Sequence, residues 1–387
     1  MNEFAGKLIT KAGTHDTVDW EQIHRDFPVV KNSVYLNAAG MSPLSKHVRA
    51  IAVDTLDLMC YSPKEFAESV LPTQRSTREA VARMYNADVE GIAFTQTTSL
   101  GMNILALHFR NNFLSKNRIV TLDSEFPSST LPWAHQGFLL HYVRAEEDNT
   151  YSISKILEAI DDDTAAVVAS YVQYNTGSKL DVHSLSKELK SRGIPFILNA
   201  TQAAGIVPID LDELPVSAFL TSGNKWVMAG VGASVMYVDK SLRDQRFPPF
   251  AGWVSADPIG FENRLGSIRN DGASLELGLI SMVPIACLGA SLGYILEIGV
   301  GNIQARLEYL SGYVIEKLLE KGYKVLTPLV NESRAGIVSI KMDDAAGFAA
   351  ELKKQNIIVI SRGDDLLRIS PHIYNNVDDL DSLLSNL

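Results

Sequence analysis

One lysine stands in an unexpected place. Residues 217–222 (SAFLTS) and 233–238 (ASVMYV) read as buried strands, and the turn Ser222-Gly223-Asn224-Lys225-Trp226 between them carries a single amine. An arbitrary lysine at a strand end snorkels to water. Here the neighbours argue for a task. Ser222 and Asn224 flank Lys225 with side chains able to bind an anion, and Gly230 and Gly232 follow, where a backbone can come close. A second strand pattern, 195–200 (PFILNA), ends at Asn199 and Gln202. A third, 91–95 (GIAFT), leads into Thr97, Thr98 and Ser99 ahead of a helical pattern. Hydroxyls and free N–H groups at a helix start make a ready phosphate site. An amine, a phosphate cradle and polar groups facing a ring are what a lysine needs to form a Schiff base with a phosphorylated aldehyde.

These residues converge only if the elements carrying them run in parallel. Further strand patterns lie at 118–123, 138–143 and 165–172, with amphipathic stretches between several of them, such as 182–191 with Asp181 as its N-cap. Alternating strand and helix, with continuous apolar strands, predicts a mostly parallel sheet covered by helices on both faces. In such a sheet the strand C-termini share one edge, and ligands bind there. After about residue 275 the pattern changes. A long apolar helix (283–298) ends at Gly299, a second helix follows at 303–321, and short strands then mix with helices at 345–355 and 377–384. This reads as a smaller α+β domain. The expected organisation is an N-terminal segment (1–45) packing with the small domain, a large α/β domain (46–270) and the small domain (271–387).

Two motifs fail their context. Gly289-Ala290-Ser291-Leu292-Gly293 matches the G-x-S-x-G nucleophile elbow but lies inside a helical run, where small residues serve close packing. Gly230-Val231-Gly232 precedes a strand instead of opening a helix, unlike a dinucleotide fingerprint. The eight histidines show no metal-ligand spacing, so no metal is expected. The 387 residues carry a formal charge of -10, which argues against nucleic acid and anionic membranes as partners. Two cysteines, Cys60 and Cys287, make no disulfide framework, and neither a signal peptide nor an 18-residue apolar run is evident. A cytoplasmic protein is the expectation.

Seven stretches then carry a resemblance from end to end: VYLNAAG, FTQTTSLGMN, DSEFPSSTLPW, SYVQYNTGSKLD, ILNATQAAG, SGNKW and LLRISPHIYNN. In this order the chain resembles the class V aminotransferase family of fold-type I pyridoxal phosphate enzymes. That group includes cysteine desulfurases, selenocysteine lyases, C–S lyases and isopenicillin-N-epimerase-like proteins. The resemblance implies pyridoxal 5'-phosphate as cofactor, a homodimer, and Lys225 as the lysine that holds the cofactor and shuttles the α-proton. It implies Thr97, Thr98 and Ser222 at the phosphate, with Asn224 where the family usually has histidine. Phe126 takes the place of the residue stacked on the pyridine ring, and Gln202 that of the partner of its phenolic oxygen. Arg368 resembles the arginine that holds a substrate α-carboxylate in a bidentate pair, with Asn37 and Asn175 beside it.

Three departures bear on the reaction. Asn199 stands where the family carries an aspartate against the ring nitrogen, so the charge that keeps the ring protonated is missing. No cysteine lies near SRGDDLLRIS, where family desulfurases place their nucleophile. Leu279 replaces a threonine that reaches a neighbouring subunit's phosphate. The expectation is an enzyme acting on a small α-amino acid with lyase or epimerase chemistry. Transamination and a catalytically retired binding subunit are the alternatives. Residues 60–66 and 247–268 are expected to supply substrate-recognition loops.

Overall fold

The computed structural model describes residues 18–244, 248–257 and 267–387. Its centre is a seven-stranded sheet. The strands are β1 (Ile92–Thr95), β2 (Arg118–Leu122), β3 (Leu139–Val143), β4 (Thr164–Ser170), β5 (Phe196–Asn199), β6 (Ala218–Ser222) and β7 (Ser234–Val238). Their spatial order is β1-β7-β6-β5-β4-β2-β3. All pairs are parallel except those of β7, which runs antiparallel to both β1 and β6. The mostly parallel sheet expected from the alternating pattern is therefore present, at the expected strands.

Burial explains why those strands read as unbroken apolar runs. Along β4, Val167 and Ala169 face one hydrophobic cluster while Ala166 and Val168 face another. Helix α3 (Thr98–Asn112) contributes Met102, Leu105 and Phe109 to one cluster; α2 (Pro63–Tyr85) and α5 (Met282–Ile298) contribute Val81, Leu288 and Leu292 to the other. A sheet buried on both faces leaves only its edges for polar work.

Helices α1 (Lys46–Tyr61) and α2 meet at Ser62, so residues 60–66 form a helix junction instead of a recognition loop. Much of the second expected loop, 247–268, lies outside the described residues. Helix α5 packs on α1 and α2. Within it, a Cβ at Gly289 would sit 2.6 Å from Thr77 Oγ1, and Ser291 Oγ donates to the Val227 carbonyl. The serine of the false elbow is thus a packing residue.

The second sheet contains β8 (Lys324–Val325), β9 (Val338–Lys341), β10 (Ile360–Arg362) and β11 (Leu366–Ile369), in the order β8-β9-β11-β10, all antiparallel. The run IIVIS divides at Val359: Ile357–Ile358 pairs in parallel with Val34–Tyr35, and Ile360–Arg362 joins the second sheet. The N-terminal stretch continues along this region, where Asn37 bridges Ser370. Among the described residues no single helix is long and apolar enough to cross a membrane.

Candidate functional site

Lys225 sits in a tight turn whose geometry is set by hydrogen bonds from Met228 N to Lys225 O (2.9 Å) and from Ala229 N to Gly223 O (2.7 Å). The next residue, Trp226, is fully buried and anchors the turn. Its indole N–H donates to Gln202 Oε1 at 2.7 Å, and its carbonyl accepts His372 Nε2 at 3.0 Å. Gly205 and Gly336 have positive φ and pack directly on it; a Cβ at Gly336 would lie 2.7 Å from the indole. The second sheet and the strand-end turn therefore clamp the lysine together.

The Lys225 amine lies 5.3 Å from the centre of the Phe126 ring. Burial, then the positive charges of Arg368 and Arg362, pull its pKa from 10.5 down to about 7. An amine held there is about half neutral near pH 7, and that fraction is nucleophilic. Phe126 precedes helix α4 (Pro127–His135) and is 38% exposed.

The remaining expected residues take the following positions. Thr97 is the N-cap of α3, its hydroxyl accepting Leu100 N at 3.1 Å. Thr98 Oγ1 lies 3.2 Å from Thr201 Oγ1, just beyond the end of β5. Ser222 Oγ donates to Asn224 Oδ1. The start of α3 thus offers N–H groups and hydroxyls to a phosphate.

Asn199 is buried with its amide fixed. The Thr201 backbone N–H donates to Oδ1 at 3.0 Å, and Nδ2 donates to Ser129 Oγ at 2.8 Å. A backbone N–H can only donate, so oxygen faces Thr201 and nitrogen faces Ser129. Ser129 in turn reaches Glu125, a buried carboxyl that also accepts Ser170 N at 2.6 Å and Gln173 Nε2 at 3.3 Å. Burial pushes the Glu125 pKa above the ordinary carboxylate value.

Gln202 is held by protein at both ends of its amide: Nε2 donates to Ala39 O at 3.1 Å and Oε1 accepts Trp226. One N–H of Nε2 is left over. Arg368 is fully buried; Nη1 donates to Tyr174 O at 2.8 Å and Nη2 to Asn37 Oδ1 at 3.3 Å. Asn37 fits there because Gly40 is a glycine: a Cβ would stand 2.6 Å from its Oδ1. Asn175 Oδ1 is buried without a hydrogen-bond partner. Burial, then Arg362, draw the Arg368 pKa down to about 9.

Sequence reasoning missed Arg362, Tyr174, Ser129 and Trp226. Tyr174 packs edge-on to Phe126 at 5.1 Å, and the Arg362 guanidinium lies 5.8 Å from the Tyr174 ring. The signal for Arg362 was a second arginine six residues before Arg368 in a short-strand region.

A buried amine with no ion pair among the described residues, a hydroxyl-lined helix start and a part-exposed aromatic ring fit a phosphorylated pyridine aldehyde. Beside them the Asn175 oxygen and the Nε atoms of Arg362 and Arg368 are buried without a hydrogen-bond partner among the described residues.

Comparison with known proteins agrees with this fit. The family model described as aminotransferase class-V matches residues 35–383. An uncharacterized aminotransferase, YcbU, of Bacillus subtilis is 23% identical over 93% of this chain and 95% of its own length. Isopenicillin N epimerase of Amycolatopsis lactamdurans is 26% identical over 95% of this chain and 96% of its own. The apo structure of cysteine desulfurase from Thermococcus onnurineus shares the fold, with a TM-score of 0.87 at 23% identity, covering 97% of this chain and 98% of that one.

Proposed function

The chain belongs to the aminotransferase class-V family and is a pyridoxal-phosphate-dependent enzyme, and from that premise we propose that it performs lyase or epimerase chemistry on a small α-amino acid. The retired-subunit alternative is set aside with that assignment. Asn199 carries the proposal. Its neutral amide stands where a carboxylate would hold the ring protonated, and its nitrogen, not its oxygen, is turned away from the Thr201 amide. A ring without that charge is a weaker store for carbanion electrons. Transamination depends most on that store. Expulsion of a β-substituent, or prompt reprotonation at Cα, depends on it less.

Pyridoxal phosphate, when bound, supplies an electrophilic aldehyde and an electron-withdrawing ring that acidifies the substrate Cα–H. Lys225 would hold it, and then take and return the α-proton with an amine whose pKa lies near the working pH. Thr97, Thr98, Ser222 and Asn224 would hold the phosphate. Phe126 would cover the ring, and the spare N–H of Gln202 would meet the phenolic oxygen. Arg368, oriented by Asn37 and Tyr174, would hold the α-carboxylate, with Asn175 donating its amide. A cysteine persulfide route gains no support: Cys60 ends α1 and Cys287 lies buried in α5 against Val48.

We also infer a homodimer. Val53, Leu56 and Met59 are exposed at three-residue spacing on α1, and Leu279 is 76% exposed. An apolar face of this kind suits a second copy of the chain.

The test is a panel of amino acids assayed for elimination, racemisation and keto-acid formation, with wild type beside Asn199→Asp. The proposal expects elimination or epimerisation to dominate in wild type and transamination to rise in the variant. Wild type that transaminates as its main reaction, or a variant unchanged in all three, contradicts it.

A further inference from the structure

Two arginines of the second sheet enter one site, and a single substrate carboxylate accounts for one of them. Ile360 pairs with Arg368 and Arg362 with Leu366 across β10 and β11. Side chains alternate along a strand, so Arg362 and Arg368 project from the same face, one step apart on the diagonal. Both meet Tyr174: Arg368 through the Tyr174 carbonyl at 2.8 Å, Arg362 over its ring at 5.8 Å. Tyr174 touches Phe126, and Phe126 touches the Lys225 amine. Two guanidinium cations and the Lys225 amine therefore run past two aromatic rings.

Among the described residues no carboxylate forms an ion pair with Arg362 or Arg368, although other arginines, such as Arg78 and Arg243, have theirs. The Nε atoms of both Arg362 and Arg368 are buried without a hydrogen-bond partner. Like charges gathered on one face, with unpaired donors, repel one another and lose hydration. Such an arrangement is stable in use when a ligand brings the counter-charges. Arg368 already has its neutral neighbours in place and a position next to Asn175. Arg362 lies farther along the row, over the ring of Tyr174.

We propose that Arg362 is a specificity residue that receives an anionic group at the far end of the substrate side chain, so that the preferred substrates are α-amino acids with an acidic side chain. This rests on the proposed reading in which Arg368 holds the α-carboxylate. A carboxylate and a sulfinate share the required chemistry of a planar or pyramidal oxyanion that accepts from a guanidinium.

The experiment is a spectral titration of the holoenzyme, following the cofactor band. L-aspartate and L-glutamate are compared with L-asparagine and L-glutamine, and L-cysteine sulfinate is titrated as the second oxyanion source. Wild type is expected to prefer each acid over its amide by at least about tenfold, the range for hydrogen bonds to a charged group. In Arg362→Gln that ratio collapses toward one, and in Arg362→Lys part of it survives. Retention of the cofactor band reports that each variant is folded. Whichever of the carboxylates and the sulfinate loses more affinity in Arg362→Gln names the source. An acid-to-amide ratio near one in wild type, or a ratio unchanged in Arg362→Gln, overturns the inference while leaving the amino-acid reading intact. A holoenzyme that responds to no amino acid overturns both.

Discussion

The Lys225 amine of the cofactor-free protein should titrate near pH 7, and removal of the Arg368 charge should raise that value. The lowering from 10.5 to about 7 comes first from burial and then from Arg368 and Arg362. It enlarges the neutral fraction of the amine at neutral pH by about three orders of magnitude. A neighbouring cation in a partly buried site contributes on the order of one unit. Arg368→Gln should therefore move the midpoint up by about that much, yet leave it well below 10.5, because burial is the larger cause. Arg362→Gln should act in the same direction and less. The assay is competitive acetylation with trace acetic anhydride across a pH series, with the Lys225 peptide quantified by mass spectrometry. A wild-type midpoint near the ordinary lysine value would refute the account of burial. A midpoint indifferent to Arg368→Gln would refute the account of the cation row.

Two further outcomes follow from buried groups away from the reaction. Glu276 is 3% exposed at its side chain, accepts Phe94 N at 3.0 Å and pairs with Arg78 at 2.7 Å, so Arg78→Met leaves a buried carboxyl unpaired; urea denaturation should show a loss of about 3–5 kcal/mol. His372 accepts Ile373 N on Nδ1 at 2.8 Å and so donates from Nε2 to Trp226, a neutral arrangement with the pKa lowered from 6.5 to about 4 by burial. Its folded value is depressed, so its contribution is fully present above the unfolded pKa of about 6.5 and is lost as pH falls toward about 4, a total of about 3 kcal/mol. Stability measured over that window should decline, and His372→Gln should flatten the decline.

Much of this architecture was legible because strands buried on both faces read as continuous apolar runs. GIAFT, RIVTLD, FLLHYV and AAVVASYV each correspond to a strand of the central sheet. Lys225 was legible for the converse reason, since an amine between two such strands has no structural task. Helices α1 and α2 were not read, because α2 holds Pro72 and much of α1 is exposed on an apolar face. The split of IIVIS depends on partners 323 residues away in Val34–Tyr35, since Ile357 pairs with Val34, which no local pattern carries. The double engagement of Gln202 was hidden likewise, since Ala39 and Trp226 are distant in sequence. Arg362 looked like part of a polar turn (SRGDD), and only the register of β10 against β11 places it on the face of Arg368. Asn199 was visible as a departure, but the direction of its amide needed the Thr201 backbone.

The central claim is that Lys225 holds the cofactor covalently. The most direct measurement is the absorbance spectrum of the purified protein with added pyridoxal phosphate, beside Lys225→Ala, followed by borohydride reduction and mass analysis of the peptide containing residue 225. The account predicts a visible band in wild type, absent from the variant, and a reduced cofactor adduct on Lys225 alone. A variant that keeps both the band and a borohydride-fixed adduct would contradict it.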